Sequence, residues 1–180
     1  MKRRLLRSIR RNKDGATAVE FALVVPMFFM LVFSILEAGW FFFVDSAVNQ
    51  AAANAARLIR TGQAQNGISK DDFYNEICNI VDTFGSCDEL LTIDIARFGD
   101  FNALAADLSS QVCRDQDDPT IEGAQFSEAD YGVQREIVRV RVCLLYKPIN
   151  PAIGLDLKQT THGFRELKSV TIFRNEPFED

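Results

Sequence analysis

Hydrophobic and polar positions divide the chain into three stretches. Residues 1–15 are mostly polar and basic. Phe21 to Val44 is an apolar run with Glu37 as its only charge, and from Asp45 onward the two kinds of residue alternate with changing period. The run is apolar on every side rather than along one stripe, unlike a soluble core helix, which keeps a polar face. As a helix its 24 residues reach about 36 Å, enough to cross a bilayer with some tilt. Glu20 and Glu37 stand 17 residues apart, about 26 Å along a helix and close to the hydrocarbon thickness. Each carboxylate then falls near one interface, where a charge costs far less than the ~2.5–3.5 kcal/mol of the bilayer centre. Trp40 and Phe41 to Phe43 follow where an aromatic belt belongs. Pro26, inside the run, predicts a kink or a local opening. Two other readings compete: a buried core helix, and a soluble exported protein cut by signal peptidase near Ala51-Ala52-Ala53. A secretory apolar region is usually about 7–15 residues, shorter than this one.

Helical spacing continues beyond the run. Val44, Ala47, Val48, Ala51, Ala55, Leu58 and Ile59 form a small-residue stripe on a helix that carries on from Asp45 to Arg60. Thr61-Gly62 and Asn66-Gly67 signal its end. Ser69 is an N-cap for a second helix over 70–82, with Phe73, Ile77, Ile80 and Val81 on one face. Leu90 to Phe98 alternates with period two and predicts a strand. Asp100 caps a short helix whose Phe101, Leu104, Ala105, Leu108 and Val112 share a side. Residues 114–132 read as an acidic loop. In Ile137 to Tyr146, the clearest strand, Val138, Val140, Val142, Leu144 and Tyr146 face one way and Arg139, Arg141 and Cys143 the other. Pro148 and Pro151 mark a loop, and Leu167 to Arg174 is a third strand. The outline is α+β: a long N-terminal transmembrane helix carrying a small helix-plus-antiparallel-sheet head, similar to a pilin. Its divisions are a leader over 1–15, the long helix over 16–62 and a head over 63–180.

Charge adds a direction. The chain carries a net −5, but residues 1–15 hold seven Lys or Arg against Asp14, a net +6, and the remainder is −11. A basic head beside an apolar run is retained on the cytoplasmic side, which sends the remainder across the membrane. Nucleic-acid binding is disfavoured, since the basic stretch lacks interleaved aromatics and the rest is acidic. Cys78, Cys87, Cys113 and Cys143 all follow the apolar run and so fall in the periplasm, where disulfides persist. Four cysteines allow three pairings. The favoured one is Cys78–Cys87, tying the second helix to the first strand, with Cys113–Cys143.

Catalytic and metal-binding patterns are sparse. The chain has no Cys-x-x-Cys pair, and its one histidine is His162, so a zinc site is not expected. It has no phosphate loop and no Gly-x-Ser-x-Gly, and no cofactor is implied. Asp115, Asp117, Asp118 and Glu122 lack the grammar of a calcium loop and read as a solvated acidic tract. The expectation is a protein that is not an enzyme.

The segment joining the basic leader to the apolar run is the most specific. Gly15, four residues, then Glu20-Phe21 resembles a type IV prepilin cleavage site of the tight-adherence (Flp) branch. The stretch "DGATAVEFALVVPMFFMLVFSILEAGWFFFVDSAVNQAAANAARLIRTG" and the ending "VTIFRNEPF" resemble the TadE-like minor pseudopilins. TadF and TadG relatives share the processing signal; major Flp pilins are little more than the helix. The resemblance implies cleavage between Gly15 and Ala16 by a prepilin peptidase, with Glu20 and Phe21 serving processing and assembly. It implies an inner-membrane protein with one span, a cytoplasmic N-terminus and a periplasmic head. The implied partners are the peptidase, sister pseudopilins, the major Flp pilin and the inner-membrane assembly platform; adhesion and biofilm formation follow. An uncleaved, signal-anchored periplasmic scaffold or binding module is the alternative.

Overall fold

In the computed structural model, the residues described are 15–110, 113–114, 121–149 and 155–178. The leader 1–14, Val112, the acidic residues Asp115, Asp117 and Asp118, and Pro151 lie outside them.

Helix α1 (Ala16–Arg60) is a single 45-residue element. Its composition of Ala, Leu, Val, Phe and Met leaves no polar side chain to compete with the backbone over most of its length. The local opening predicted at Pro26 does not occur, because every residue from Ala16 to Arg60 is helical. Pro26 removes one N–H and hence one bond to the Ala22 carbonyl, and the turns on either side are enough to carry the helix through. The helix ends where Gly62 takes φ +79°, and a Cβ there would lie 2.6 Å from Cγ of Phe178. Glycine is required at that point both for its backbone angle and for space.

The chain divides into two compact units, with residues up to Gly39 and Ile149–Asp156 in one and the rest in the other. In the first unit, the early turns of α1 expose large apolar side chains; Phe21 is 70% and Met27 75% exposed. The backbone N–H of Ile149 donates to Oε1 of Glu37 at 3.3 Å, and that of Leu155 donates to Oγ of Ser34 at 3.0 Å.

In the second unit, the rest of α1 buries Val44, Val48, Ala51, Ala52, Ala55, Leu58 and Ile59. Helix α2 (Lys70–Val81) adds Phe73, Ile77 and Val81 to the same core. Its cap is Ser69, whose hydroxyl accepts from the Asp72 N–H at 3.1 Å. A 3-10 turn (Asp82–Phe84) and the one-turn helix α3 (Cys87–Leu90) lead into β1 (Leu91–Phe98). Helix α4 (Phe101–Ala106) follows, capped by Asp100, which accepts from Ala103 N–H. The remaining strands are β2 (Ala124–Gln125), β3 (Ile137–Tyr146) and β4 (Arg165–Arg174).

The four strands form one sheet in the order β2-β1-β3-β4. β3 pairs antiparallel with both β1 and β4, with Ile93 opposite Val142 and Leu144 opposite Leu167. β2 pairs parallel with β1, so the sheet is mixed. One face carries Leu91, Ile93, Ile95, Val138, Val140, Val142, Leu144 and Leu167, which share the core with α1 and α2.

Three details depart from the sequence pattern. Helix α4 is only six residues long and buries nothing; Phe101 is 64% and Leu108 93% exposed. It touches β1, yet Leu104 is no more than half-buried there, so periodicity alone did not make a core. Residues 121–131, read as loop, hold β2, a 3-10 turn (Glu128–Tyr131) and two buried rings. Phe126 and Tyr131 pack on Phe73, with ring centroids 5.6 and 5.2 Å away. Finally, β3 is buried on both faces, although Arg139 and Arg141 lie on the second.

Candidate functional site

The residues singled out by sequence lie at the start of α1. Gly15 immediately precedes the helix, and its carbonyl accepts from the Val19 N–H at 3.1 Å. Among the described residues, nothing lies within 4 Å of where a Gly15 Cβ would sit. Packing therefore gives no reason for glycine at this position. Ala16, Glu20 and Phe21 are exposed on the first turns of the helix. Ala16 and Glu20 are four residues apart and so lie on one face, one turn from each other. No hydrogen bond or ion pair joins Glu20 to any other described residue. A carboxylate in that position, on an apolar helix, is available to a cation from outside the described chain.

Glu37 is handled differently. It is only 4% exposed and accepts the Ile149 N–H. The polar atoms of an otherwise apolar segment thus find partners in the connection between β3 and β4. Sequence spacing placed Glu37 near an interface but held no signal for its partner 112 residues away.

The four cysteines form two disulfides, Cys78–Cys87 and Cys113–Cys143. The first closes the span containing the 3-10 turn and ties α2 to α3. Tyr74 works alongside it, since its hydroxyl donates toward the carbonyls of Cys87 and Leu91 at 2.9 and 3.1 Å. Burial pushes its phenol up to about 12, with Arg114 opposing and Asp88 adding.

The second disulfide belongs to a polar cluster on the far face of the sheet. Arg141 pairs with Asp94 through Nε and donates to the Ser109 carbonyl at 2.7 Å. Arg139 pairs with Asp107, lies over the Phe98 ring at 5.1 Å and reaches Oγ of Ser109 at 3.2 Å. The Arg114 N–H donates to Oγ1 of Thr92 at 2.8 Å. Buried arginines need such partners, because an unpaired charge in the interior is strongly penalised. The Ser109 backbone N–H first, and then the Arg139 guanidinium, hold the Asp107 carboxyl down at about 2. The pairing of Asp94 with Arg141 follows from strand register; the alternating arginines of β3 were the only hint in the sequence.

Other candidate chemistry is thinner. Glu122 pairs with Lys70 at 3.6 Å. His162 lies exposed in the turn before β4. Cys78, Asp82 and Cys87 cluster closely enough for a metal, but both sulfurs are spent on their mutual disulfide. An open cleft of about 440 Å³ lies beside Gln65, Arg97, Glu128 and Tyr131.

By length and composition α1 can cross a membrane; its most apolar 18-residue window has a mean hydropathy of 2.4 and holds no buried residue. No curated protein and no solved structure matches the chain. Residues 15–57, from the glycine that precedes α1 almost to the end of that helix, match the family model for TadE-like proteins, and over that segment the chain is similar to that family.

Proposed function

We propose that this protein is a membrane-anchored minor pseudopilin, cut between Gly15 and Ala16 by a prepilin peptidase, that acts in assembly of a tight-adherence (Flp) pilus and not as a catalyst. The TadE-like segment points to a Tad pilus-related role. The observation that carries the finer reading is the pair Gly15 and Glu20. The fold gives no packing reason for glycine at the first position, and among the described residues no partner meets the second.

In this scheme the +6 leader holds the N-terminus at the cytoplasmic face of the inner membrane while the disulfide-bonded head stands in the periplasm. Cleavage removes the leader and leaves a cationic amine on Ala16. Glu20 of one subunit meets the Ala16 amine of a neighbour, so two charges that are costly in lipid neutralise each other. Sister pseudopilins and the major Flp pilin supply the neighbours, and the inner-membrane platform supplies the site of assembly. The head contributes shape and contact surface rather than chemistry.

Mass spectrometry of the N-terminus after co-expression with a tight-adherence prepilin peptidase tests this. The expected mature chain begins at Ala16, and Gly15→Trp should abolish the cut. A mature chain beginning at Met1 would support the uncleaved scaffold reading. One beginning near Asn54 would mean an exported protein released by signal peptidase.

A further inference from the structure

We propose that Trp40, Phe43 and Phe84 form a lipid-contact surface, with Phe84 presented by the head into the interfacial layer of the membrane beside the emerging helix. The proposal rests on the reading that α1 crosses the bilayer. Trp40 and Phe43 are one turn apart on α1, with ring centroids 5.8 Å from each other. Phe84 comes from the 3-10 turn after α2. Its ring lies 5.8 Å from Trp40 and 5.6 Å from Phe43, edge-on to both.

Packing by Phe84 does not cover this cluster. Trp40 remains 38% and Phe43 59% exposed, and Phe42 between them is 68% exposed. Phe41 is the exception in that turn, since its ring contacts Tyr146 and the Arg165 guanidinium lies over it at 5.2 Å. One ring of the turn is thus used for internal packing while its neighbours stay open. The open rings lie within the apolar run Phe21 to Val44, after its one charge, Glu37, and we take the medium covering them to be the one surrounding that run. Tryptophan and other aromatic rings are favoured at the boundary between headgroups and acyl chains.

Phe84 is half-buried, with one side of its ring packed against the core, and the turn that carries it is held in place. The Cys78–Cys87 disulfide spans its turn, and the Gly85 N–H closes on the Asp82 carbonyl at 3.2 Å. A turn fixed in advance loses little conformational freedom on docking. The same stretch exposes Asp82, Asp88 and Glu89, so anionic headgroups do not attract it. The contact is apolar and should be as strong on zwitterionic lipid as on anionic lipid.

Trp40 is the only tryptophan in the chain, which makes the test direct. The full-length protein is reconstituted in phosphatidylcholine vesicles carrying bromine at shallow or deep acyl positions. Its fluorescence is compared with that of Trp40→Phe combined with Phe84→Trp. Trp40 in the wild type should be quenched at least twofold. The tryptophan moved to position 84 should be quenched at least half as strongly, more by shallow than by deep bromine, and equally with or without phosphatidylglycerol. Quenching at Trp40 with none at position 84 overturns the proposal and leaves the membrane reading standing. Absence of quenching at both positions overturns both. Photo-crosslinking from benzoylphenylalanine at position 84 in cells provides a second measurement with little risk to folding. Lipid adducts support the proposal, whereas adducts with a protein would make Phe84 a subunit contact and overturn it.

Discussion

Helix α1 has two regions with opposite rules. Before Gly39 its side chains are large and exposed: Phe21, Leu23, Met27 and Leu36 all stand free of protein contact over most of their surface. After Val44 they are small and buried, with Val48, Ala51, Ala52 and Ala55 fully covered. One hydrogen-bonded element therefore serves two surroundings. In water, exposing each large apolar side chain forfeits about 1.5–3 kcal/mol of burial, and α1 is long and apolar enough to cross a membrane. In the later half, the buried side chains share one core with α2 and the sheet, and stability comes from close packing. The apolar half therefore holds no specific geometry except at its few polar atoms, while the packed half is sensitive to single methyl groups.

The sharpest way to break this comparison is at Glu20. Glu20→Ala should leave cleavage, membrane abundance and head stability at wild-type levels while piliation is lost. These are measured as N-terminal mass, membrane immunoblot and surface pili in the same cells. Normal piliation would show that the carboxylate has no assembly role, and blocked cleavage would place it in the peptidase signal.

In the sheet that shares its core with the packed half of α1, a single polar deletion should act through stability instead. Asp94→Ala leaves the buried Arg141 guanidinium without its carboxylate and should cost about 3–5 kcal/mol, seen as a lower urea midpoint in detergent. Asp94→Leu together with Arg141→Met should recover most of that loss, and processing at Gly15 should be unaffected by either change. The disulfides come next. By chain entropy, the bond spanning 30 residues, Cys113–Cys143, contributes about 3.6 kcal/mol. The one spanning 9 residues, Cys78–Cys87, contributes about 2.6 kcal/mol. Replacing each pair by serine should reproduce that order. Thiol labelling of native protein without reductant should find no free cysteine, and four reactive thiols would contradict the periplasmic placement.

The smallest effect concerns pH. Asp107 has a folded pKa of about 2, below its ordinary 3.8. A depressed carboxyl stabilises the fold above its unfolded pKa, and that contribution is lost as pH falls through the folded value. The urea midpoint of wild type should therefore drop between about pH 4 and pH 2, and Asp107→Asn should flatten the drop within that window. An equal slope in the variant would assign the acid sensitivity to other carboxylates.

Much of the secondary structure was legible because its signals are local. Ser69 and Asp100 cap α2 and α4 as their side chains predict, and the alternation in β1 and β3 marks both strands. Sequence failed where the deciding partner is distant. Phe126 and Tyr131 sit in a polar stretch that reads as loop, and only their packing on Phe73 makes them core. The apolar residues of α4 follow helical spacing, yet none of them is buried. Around the candidate site, Gly15 and Glu20 could be named from spacing, whereas the neighbours of Glu37 and Phe84 could not.

Local pattern was enough to give the length and apolar character of α1, the positions of its charges and the spacing from Gly15 to Glu20. These depend on composition and on a helical rise that is the same in every protein. The cysteine pairing favoured from sequence, Cys78–Cys87 with Cys113–Cys143, is the one formed, whereas the tertiary structure decided what covers the later half of α1. It decided that Arg139 and Arg141 are paired on a covered face, and that Phe84 joins Trp40 and Phe43 from across the chain. Each of these depends on contacts between residues far apart in sequence, set by strand register and packing, which no local pattern encodes.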